Sequence, residues 1–361
     1  GASPWRCGAG LGGFGCRGGL VSWPATQRVR AQVPDPSTIQ LLRVLASGHF
    51  LTLDELAAVL GEGGATIRER LDTLNALGLA LEAVPGRGVR IAGGLDLLDA
   101  AKVGAALNSE AGAALAGLNV LPFVDSTNAE AQRQLAMGAP CGQVYTAELQ
   151  SAGRGRRGRA WVSPFASNLY LSLTWEFPGG NEALAGLSLA TGVAVVRSLA
   201  DLGQGRLGLK WPNDIFYEGA KLGGILLESH GSGEGGCQLI IGIGLNVAMP
   251  RAAADDIGQT WTDVRSLAGG DPPDRNRLLA AVLNELLPLV AGYEDSGFSS
   301  WREEWLQLVV ARDQPVVLEG PEGQRQRGVA RGVDASGALL LETSTAMRTV
   351  HGGEISLRLQ T

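Results

Sequence analysis

Seven consecutive residues, Gly153-Arg154-Gly155-Arg156-Arg157-Gly158-Arg159, place four guanidinium groups and three glycines in one short loop of a chain whose formal net charge is −6. Glycines allow tight or left-handed turns that aim backbone amides inward. Arginines present planar donor forks matching phosphate and carboxylate oxygens two bonds at a time. The pattern points to a loop that closes over an anion. Four like charges so close together repel by about 1 kcal/mol per close pair even in water, so a bound adenylate or pyrophosphate would favour an ordered, closed loop.

Other residues in the chain could complete such a site. Asp125-Ser126-Thr127-Asn128 precedes a helical stretch and by itself reads first as a helix cap, a role compatible with serving as hydroxyl and amide partners for a polar ligand. Gln150 stands three residues before the loop and Trp161 two residues after it. Further on come Lys210-Trp211-Pro212-Asn213-Asp214, Lys221-Leu222-Gly223-Gly224-Ile225-Leu226 and Gly242-Ile243-Gly244-Leu245-Asn246. A half-buried lysine at position 221 could hold a carboxylate and an α-phosphate together.

This ordered set resembles the biotin protein ligases, in the long bacterial form that carries a DNA-binding module ahead of the ligase. The resemblance extends from about Ser37 to the C-terminus. It implies a class II synthetase-like mixed sheet, with Ser126, Thr127, Asn128, Gln150, Gly153, Arg154, Gly155, Arg156 and Lys221 at biotin. Arg156, Arg157, Arg159, Trp161, Asn213, Asp214 and Asn246 are implied at the nucleotide, and Arg156 and Lys221 in catalysis. The substrates implied are biotin and ATP with Mg²⁺, and the acceptor is a lysine of the biotin carboxyl carrier protein of acetyl-CoA carboxylase. A homodimer presenting two DNA-binding modules to a palindromic operator follows from the same likeness. Two alternatives stay open: a lipoate or octanoate ligase of the same superfamily, and a DNA-binding biotin sensor without catalysis.

These motifs require a scaffold, and the 361 residues with 45% hydrophobic content suffice for two or three folded domains. Residues 1–36 are glycine-rich without period 2 or 3.6 and are expected to be a disordered leader. Residues 37–98 show helical spacing at Ile39, Leu41, Leu42, Val44 and Leu45, at Leu53, Leu56, Ala57, Val59 and Leu60, and at Ile67, Leu71, Leu74 and Leu77, followed by a hairpin around Pro85-Gly86-Arg87-Gly88. That order predicts a winged helix-turn-helix, with Thr66, Arg68, Arg70 and Arg87 as DNA contacts. Acidic residues slightly outnumber basic ones there, which is poor footing for phosphate binding.

Residues 115–311 alternate strands and helices, predicting an α+β catalytic domain with strands at 144–147, 169–175, 207–211, 225–228 and 238–247 and helices at 182–202 and 277–293. Residues 312–361 carry short β runs that predict a small antiparallel SH3-like barrel. Four scattered cysteines and three scattered histidines predict no protein-bound metal. No apolar run approaches the roughly 18 residues of a membrane span, and no secretory signal stands at the start, so no membrane association and a cytoplasmic location are expected.

Overall fold

In the first part of the chain, helix starts are written in the capping residues. In the computed structural model, which describes residues 21–22, 34–180, 184–203, 205–233, 236–255, 257–320, 323–352 and 355–359, Asp35 caps helix α1 (Pro36–Leu45) by accepting from the Ser37 and Thr38 amides. Thr52 and Glu55 form a reciprocal capping box on α2 (Leu53–Leu60), which Gly61 ends in the left-handed region. Helix α3 (Gly64–Ala76) follows, and Leu41, Leu42, Leu45, Leu56, Ile67, Leu71 and Leu74 are buried in this unit. Val59 departs from its expected place in the apolar face: it is 57% exposed.

Strands β2 (Leu81–Val84) and β3 (Gly88–Ile91) form the hairpin. Gly88 is required there, because a Cβ would lie 2.0 Å from the Leu51 carbonyl oxygen. Most of the expected leader lies outside the described residues. The described positions within it correct the expectation: Val21–Ser22 forms strand β1 and pairs antiparallel with Ala83 and Glu82 of β2, and Asp35 and Pro36 start α1.

The chain divides into two units, residues 1–97 and 98–361. The second opens with the short helices α4 (Ala100–Ala105) and α5 (Ser109–Ala114) and strand β4 (Gly117–Leu121), then α6 (Thr127–Ala136), β5 (Gln143–Ala147), β6 (Leu169–Phe177) and α7 (Leu187–Leu199). After β7 (Leu207–Lys210), β8 (Asp214–Tyr217), β9 (Ala220–Gly233) and β10 (Gly236–Leu245) come the short α8 (Arg251–Ala254) and α9 (Val264–Leu267), the long α10 (Arg275–Ser296) and α11 (Ser299–Leu308). Strand order is β4-β5-β6-β10-β9-β8-β7, with β4 and β5 parallel and the other pairs antiparallel.

Side-chain alternation gives this sheet two faces. Val144, Leu171, Leu173, Ile241 and Ile243 join the main core with α7 and α10. Tyr145 and Ile240, one residue out of phase, pack with Ala131 and Leu135 of α6. The α6 face also carries Ser172, Glu228, Gly242 and Gly244, since Gly242 pairs with Ser172 and Ile240 with Glu228 across the ladder.

Several element boundaries differ from the sequence expectation, and three of the differences have a visible cause. Helix α7 begins at Leu187, after Gly186 at φ +72°, where a Cβ would strike the Phe298 ring. Strand β9 runs back through Gly223 and Gly224 because the β10 ladder continues opposite them, so local glycine content misjudged the strand's start. β7 stops before Trp211, whose indole turns into the core and donates to the Gly337 carbonyl.

The last segment is a five-stranded antiparallel sheet, β11 (Gln314–Glu319), β12 (Arg325–Val333), β13 (Leu339–Glu342), β14 (Met347–Val350) and β15 (Ser356–Leu359), ordered β14-β13-β12-β11-β15. Its apolar residues Val316, Leu318, Ala330, Val333, Leu339, Leu341 and Leu357 belong to the same core cluster as the seven-stranded sheet. It therefore sits as a wall beside the central sheet.

Candidate functional site

The site is built on the α6 face by removing side chains from β10. A Cβ on Gly242 would lie 2.2 Å from Asn128 Oδ1, and one on Gly244 would lie 2.5 Å from the Trp161 ring. Two glycines thus make room for an amide and an indole. Ser126 holds the N-cap position of α6, yet its side chain makes no capping hydrogen bond; it is buried and lines the cavity instead. The helix start projects Ser126, Thr127 and Asn128 toward the sheet.

A continuous polar wall follows. The Thr127 amide donates to Gln150 Oε1 at 2.8 Å, and Gln150 Nε2 donates to Ser163 Oγ at 3.0 Å. Ser172 Oγ lies 2.8 Å from Thr127 Oγ1 and 2.5 Å from Asn128 Oδ1, while Asn128 Nδ2 donates to Glu228 Oε2 at 2.7 Å. Gly153 admits no side chain, since a Cβ would meet Ser163 Oγ and the Trp161 carbonyl at 2.6 Å.

The arginine loop spans this wall. Arg154 bridges antiparallel to Ala160, and the Gly155 amide donates to the Arg159 carbonyl at 2.7 Å. Its tip is a short 3₁₀ turn with Arg157 at φ +59° and Gly158 at φ +69°. The four guanidiniums separate instead of crowding. Arg154 reaches Glu228 at 3.3 Å and Arg156 donates to Asn213 Oδ1 at 3.1 Å. Arg157 donates to Ser356 Oγ and the Gly320 carbonyl of the C-terminal sheet, and Arg159 also reaches Ser356.

Lys221 Nζ pairs with Asp214 Oδ1 at 2.7 Å and lies 5.5 Å above the Trp161 ring centre. Asn213 is fixed by donating to the Ile225 carbonyl at 2.6 Å. Asn246 is buried and donates to the Thr262 carbonyl at 3.0 Å. Burial pushes the Lys210 ammonium below the ordinary lysine range, with neighbouring Asp214 opposing the shift.

Two cavities adjoin along Trp161. One, of about 100 Å³, is lined by Ser126, Thr127, Asn128, Gln150, Arg156 and Lys221 among others. The other, of about 580 Å³, is lined by Arg159, Trp161, Asn246, Gln259, Trp261 and Arg358. The indole Nε1 of Trp161 is buried without a hydrogen-bond partner, an orphan donor that a ligand acceptor could satisfy.

Every residue expected at biotin or nucleotide except Arg157 lines one of the two cavities. Arg157 turns outward to the C-terminal sheet. Sequence reading missed Ser163, Ser172, Glu228, Gln259, Trp261 and Arg358. Trp261, an isolated aromatic in the polar run Gln259-Thr260-Trp261-Thr262, was a readable signal; Arg358 arrives from β15, far along the chain, and carried none.

Among the DNA candidates, Arg70 needs correction. Its guanidinium is 16% exposed and bound to Asp35, Thr38 and Glu62, so it braces the three helices and is not presented to phosphate. Arg87 is exposed at the hairpin tip and stacks 4.5 Å over Phe50. Thr66 and Arg68 on α3 are half-buried. Among the described residues no group of three or more His, Cys, Asp or Glu side chains could hold a metal, and no helix is long and apolar enough to cross a membrane.

Comparison with known proteins matches residues 120–246 to the biotin/lipoate A/B protein ligase family and residues 313–358 to the biotin protein ligase C terminal domain. The chain is 38% identical over 324 residues to the bifunctional ligase/repressor BirA of Salmonella typhimurium, covering 89% of this chain and 97% of that protein. It is 37% identical over 321 residues to its Escherichia coli counterpart, with the same coverage of both chains. The solved biotin protein ligase from Aquifex aeolicus, in complex with biotin and ATP, superposes at a TM-score of 0.59 with 27% identity, over 68% of this chain and all of that one. The chain belongs to the biotin protein ligase family.

Proposed function

We propose that this chain joins biotin to ATP as biotinyl-5'-adenylate and then transfers biotin to a lysine of the biotin carboxyl carrier protein of acetyl-CoA carboxylase. The observation that carries this reading is the convergence of a neutral polar wall and a cationic loop on one pair of cavities. A ureido head has one strong acceptor and two N–H donors. The hydroxyls of Ser126 and Thr127 and the amides of Asn128 and Gln150 match it, inside a wall where an unmatched group costs about 1–3 kcal/mol.

In the first step a biotin carboxylate oxygen attacks the α-phosphorus and pyrophosphate leaves. Lys221, oriented by Asp214, holds the carboxylate and phosphate oxygens together, and Arg156 and Arg159 offset charge on the phosphates. Mg²⁺ fits as an ion carried in with the phosphates, whose charge it would neutralise; the protein offers no dedicated carboxylate cage among the described residues. Trp161 and Trp261 flank the larger cavity and suit the adenine, with Asn246 beside it. In the second step the neutral amine of the acceptor lysine attacks the acyl carbon, an amide forms and AMP departs. Gly153 to Arg159 shield the mixed anhydride from water meanwhile.

We assign residues 37–98 as a winged helix-turn-helix, 115–311 as the class II synthetase-like catalytic domain and 312–361 as an SH3-like domain. The ligase/repressor relatives align through the N-terminal segment, which supports a second role as a biotin-responsive repressor, acting as a homodimer on operator DNA through α3 and Arg87. Biotin-dependent exchange of pyrophosphate into ATP, followed by labelling of carrier protein, tests the ligase. Exchange driven equally by lipoate or octanoate, or no exchange at all, would overturn it. A mobility shift on promoters of biotin genes at low salt, with adenylate bound, tests the repressor.

A further inference from the structure

Glu228 lies outside every sequence motif, yet its carboxylate is where the arginine loop meets the pocket wall. One oxygen, Oε2, accepts from Asn128 Nδ2 at 2.7 Å and from the Arg154 guanidinium at 3.3 Å. An ionised carboxylate only accepts, so Asn128 must turn its NH₂ toward Glu228 and leave Oδ1 for Ser172, 2.5 Å away. The contacts continue through Ser172 Oγ to Thr127 Oγ1, from the Thr127 amide to Gln150 Oε1, from Gln150 Nε2 to Ser163 Oγ, and from Ser163 Oγ to the Trp161 carbonyl. This chain starts at Arg154 and finishes at Trp161, the two feet of the loop.

Because Asn128 Oδ1 can only accept, Ser172 donates to Asn128 and Asn128 to Glu228, while the Thr127 hydroxyl donates to Gln150 Oε1 at 3.2 Å. We propose that Glu228 is a positioning residue that sets the donor–acceptor polarity of the biotin wall and latches Arg154, so that ordering the pocket and closing the loop are one event. The proposal rests on the biotin–ATP reading above. Its physical content is that a single acceptor serves both the buried amide, 4% exposed, and the loop arginine. Replacing the carboxylate with a carboxamide supplies an NH₂ that competes with the donors it used to receive, and removes the charge that holds Arg154.

The test uses the full chain with Glu228→Gln, Glu228→Asp, Arg154→Ala and the double variant Glu228→Gln/Arg154→Ala. Biotin KM in pyrophosphate exchange and the release rate of biotinyl-adenylate from gel-filtered complex are the readouts, with a thermal melt on each variant. Glu228→Gln is expected to raise biotin KM by about threefold to tenfold and to speed adenylate release by about twofold to fivefold, with ATP KM within twofold of wild type. Glu228→Asp, which keeps the charge, should recover part of both. In the double variant, release should be slower than the product of the two single effects, because both changes break the same Glu228–Arg154 contact. Additive release rates, or a lower melting temperature with unchanged KM and release, would reduce Glu228 to a structural residue and overturn the proposal. Absence of biotin-dependent exchange in the wild type would instead strike the functional reading.

Discussion

Gly242→Ala probes the pocket floor with one methyl group. The added carbon would stand 2.2 Å from Asn128 Oδ1 and 2.9 Å from both Cγ and Nδ2 of the same amide. An ordinary contact needs a displacement of about 1 Å. Asn128 cannot give way freely, because Oδ1 accepts from Ser172 at 2.5 Å and Nδ2 donates to Glu228 at 2.7 Å. Moving it therefore breaks at least one buried hydrogen bond, at about 1–3 kcal/mol. If biotin meets this amide, its affinity falls by roughly 5- to 150-fold. ATP affinity should hold within about twofold, since the nucleotide cavity lies along Trp161 and Asn246. The assay is biotin and ATP KM in pyrophosphate exchange, with a thermal melt to register overpacking of about 1–3 kcal/mol. A folded Gly242→Ala protein with biotin KM within twofold of wild type would refute the placement of biotin beside Asn128.

Lys221→Met removes the cation shared by carboxylate and phosphate and is expected to slow biotin-dependent exchange by about 100-fold or more, read from initial rates; a loss under threefold would contradict its role. Arg156→Gly should release adenylate early, so that unrelated proteins with exposed lysines become labelled while carrier labelling falls, as followed by streptavidin blotting. The Asp35 carboxyl is held down to about 2, first by its side-chain bond with Thr38 and further by the Thr38 amide and Arg70. Its stabilising contribution is complete above the unfolded carboxylate value and is lost as pH falls through about 2. Asp35→Asn should therefore cost about 1 kcal/mol at pH 7 and flatten the acid dependence of unit-one unfolding below pH 4, measured by circular dichroism melts on the full chain. An equal loss of stability for both proteins between pH 4 and 2 would remove this cap from the account.

Much of the site was legible because its motifs are local. Ser126-Thr127-Asn128 shares a helix start, and the loop is one run of seven residues, so their types alone indicated polar recognition and anion binding. The helices of the first unit were legible for the same reason, through spaced leucines and the Thr52/Glu55 box. What escaped depends on pairings distant in sequence. Glu228 and Ser172 matter because β9, β10 and β6 lie side by side in one register, and no pattern within either strand announces that. Arg70 was misread because basic character on a candidate recognition helix says nothing of Asp35 and Glu62 waiting on its neighbours. Strand β14, exposed at Met347, Arg348 and Thr349 and half-buried only at Val350, has no alternation to betray it.

The central claim is that the arginine loop closes over a biotin–adenylate conjugate seated between Ser126, Gln150 and Lys221. The most direct measurement is retention: the full chain is incubated with biotin, Mg²⁺ and ATP labelled at the α-phosphate, gel-filtered, and the label co-eluting with protein is quantified. The account predicts about one equivalent of biotinyl-adenylate per chain, formed only when biotin is present and discharged on adding carrier protein. Label that elutes free of the protein, or that is retained equally without biotin, would contradict it.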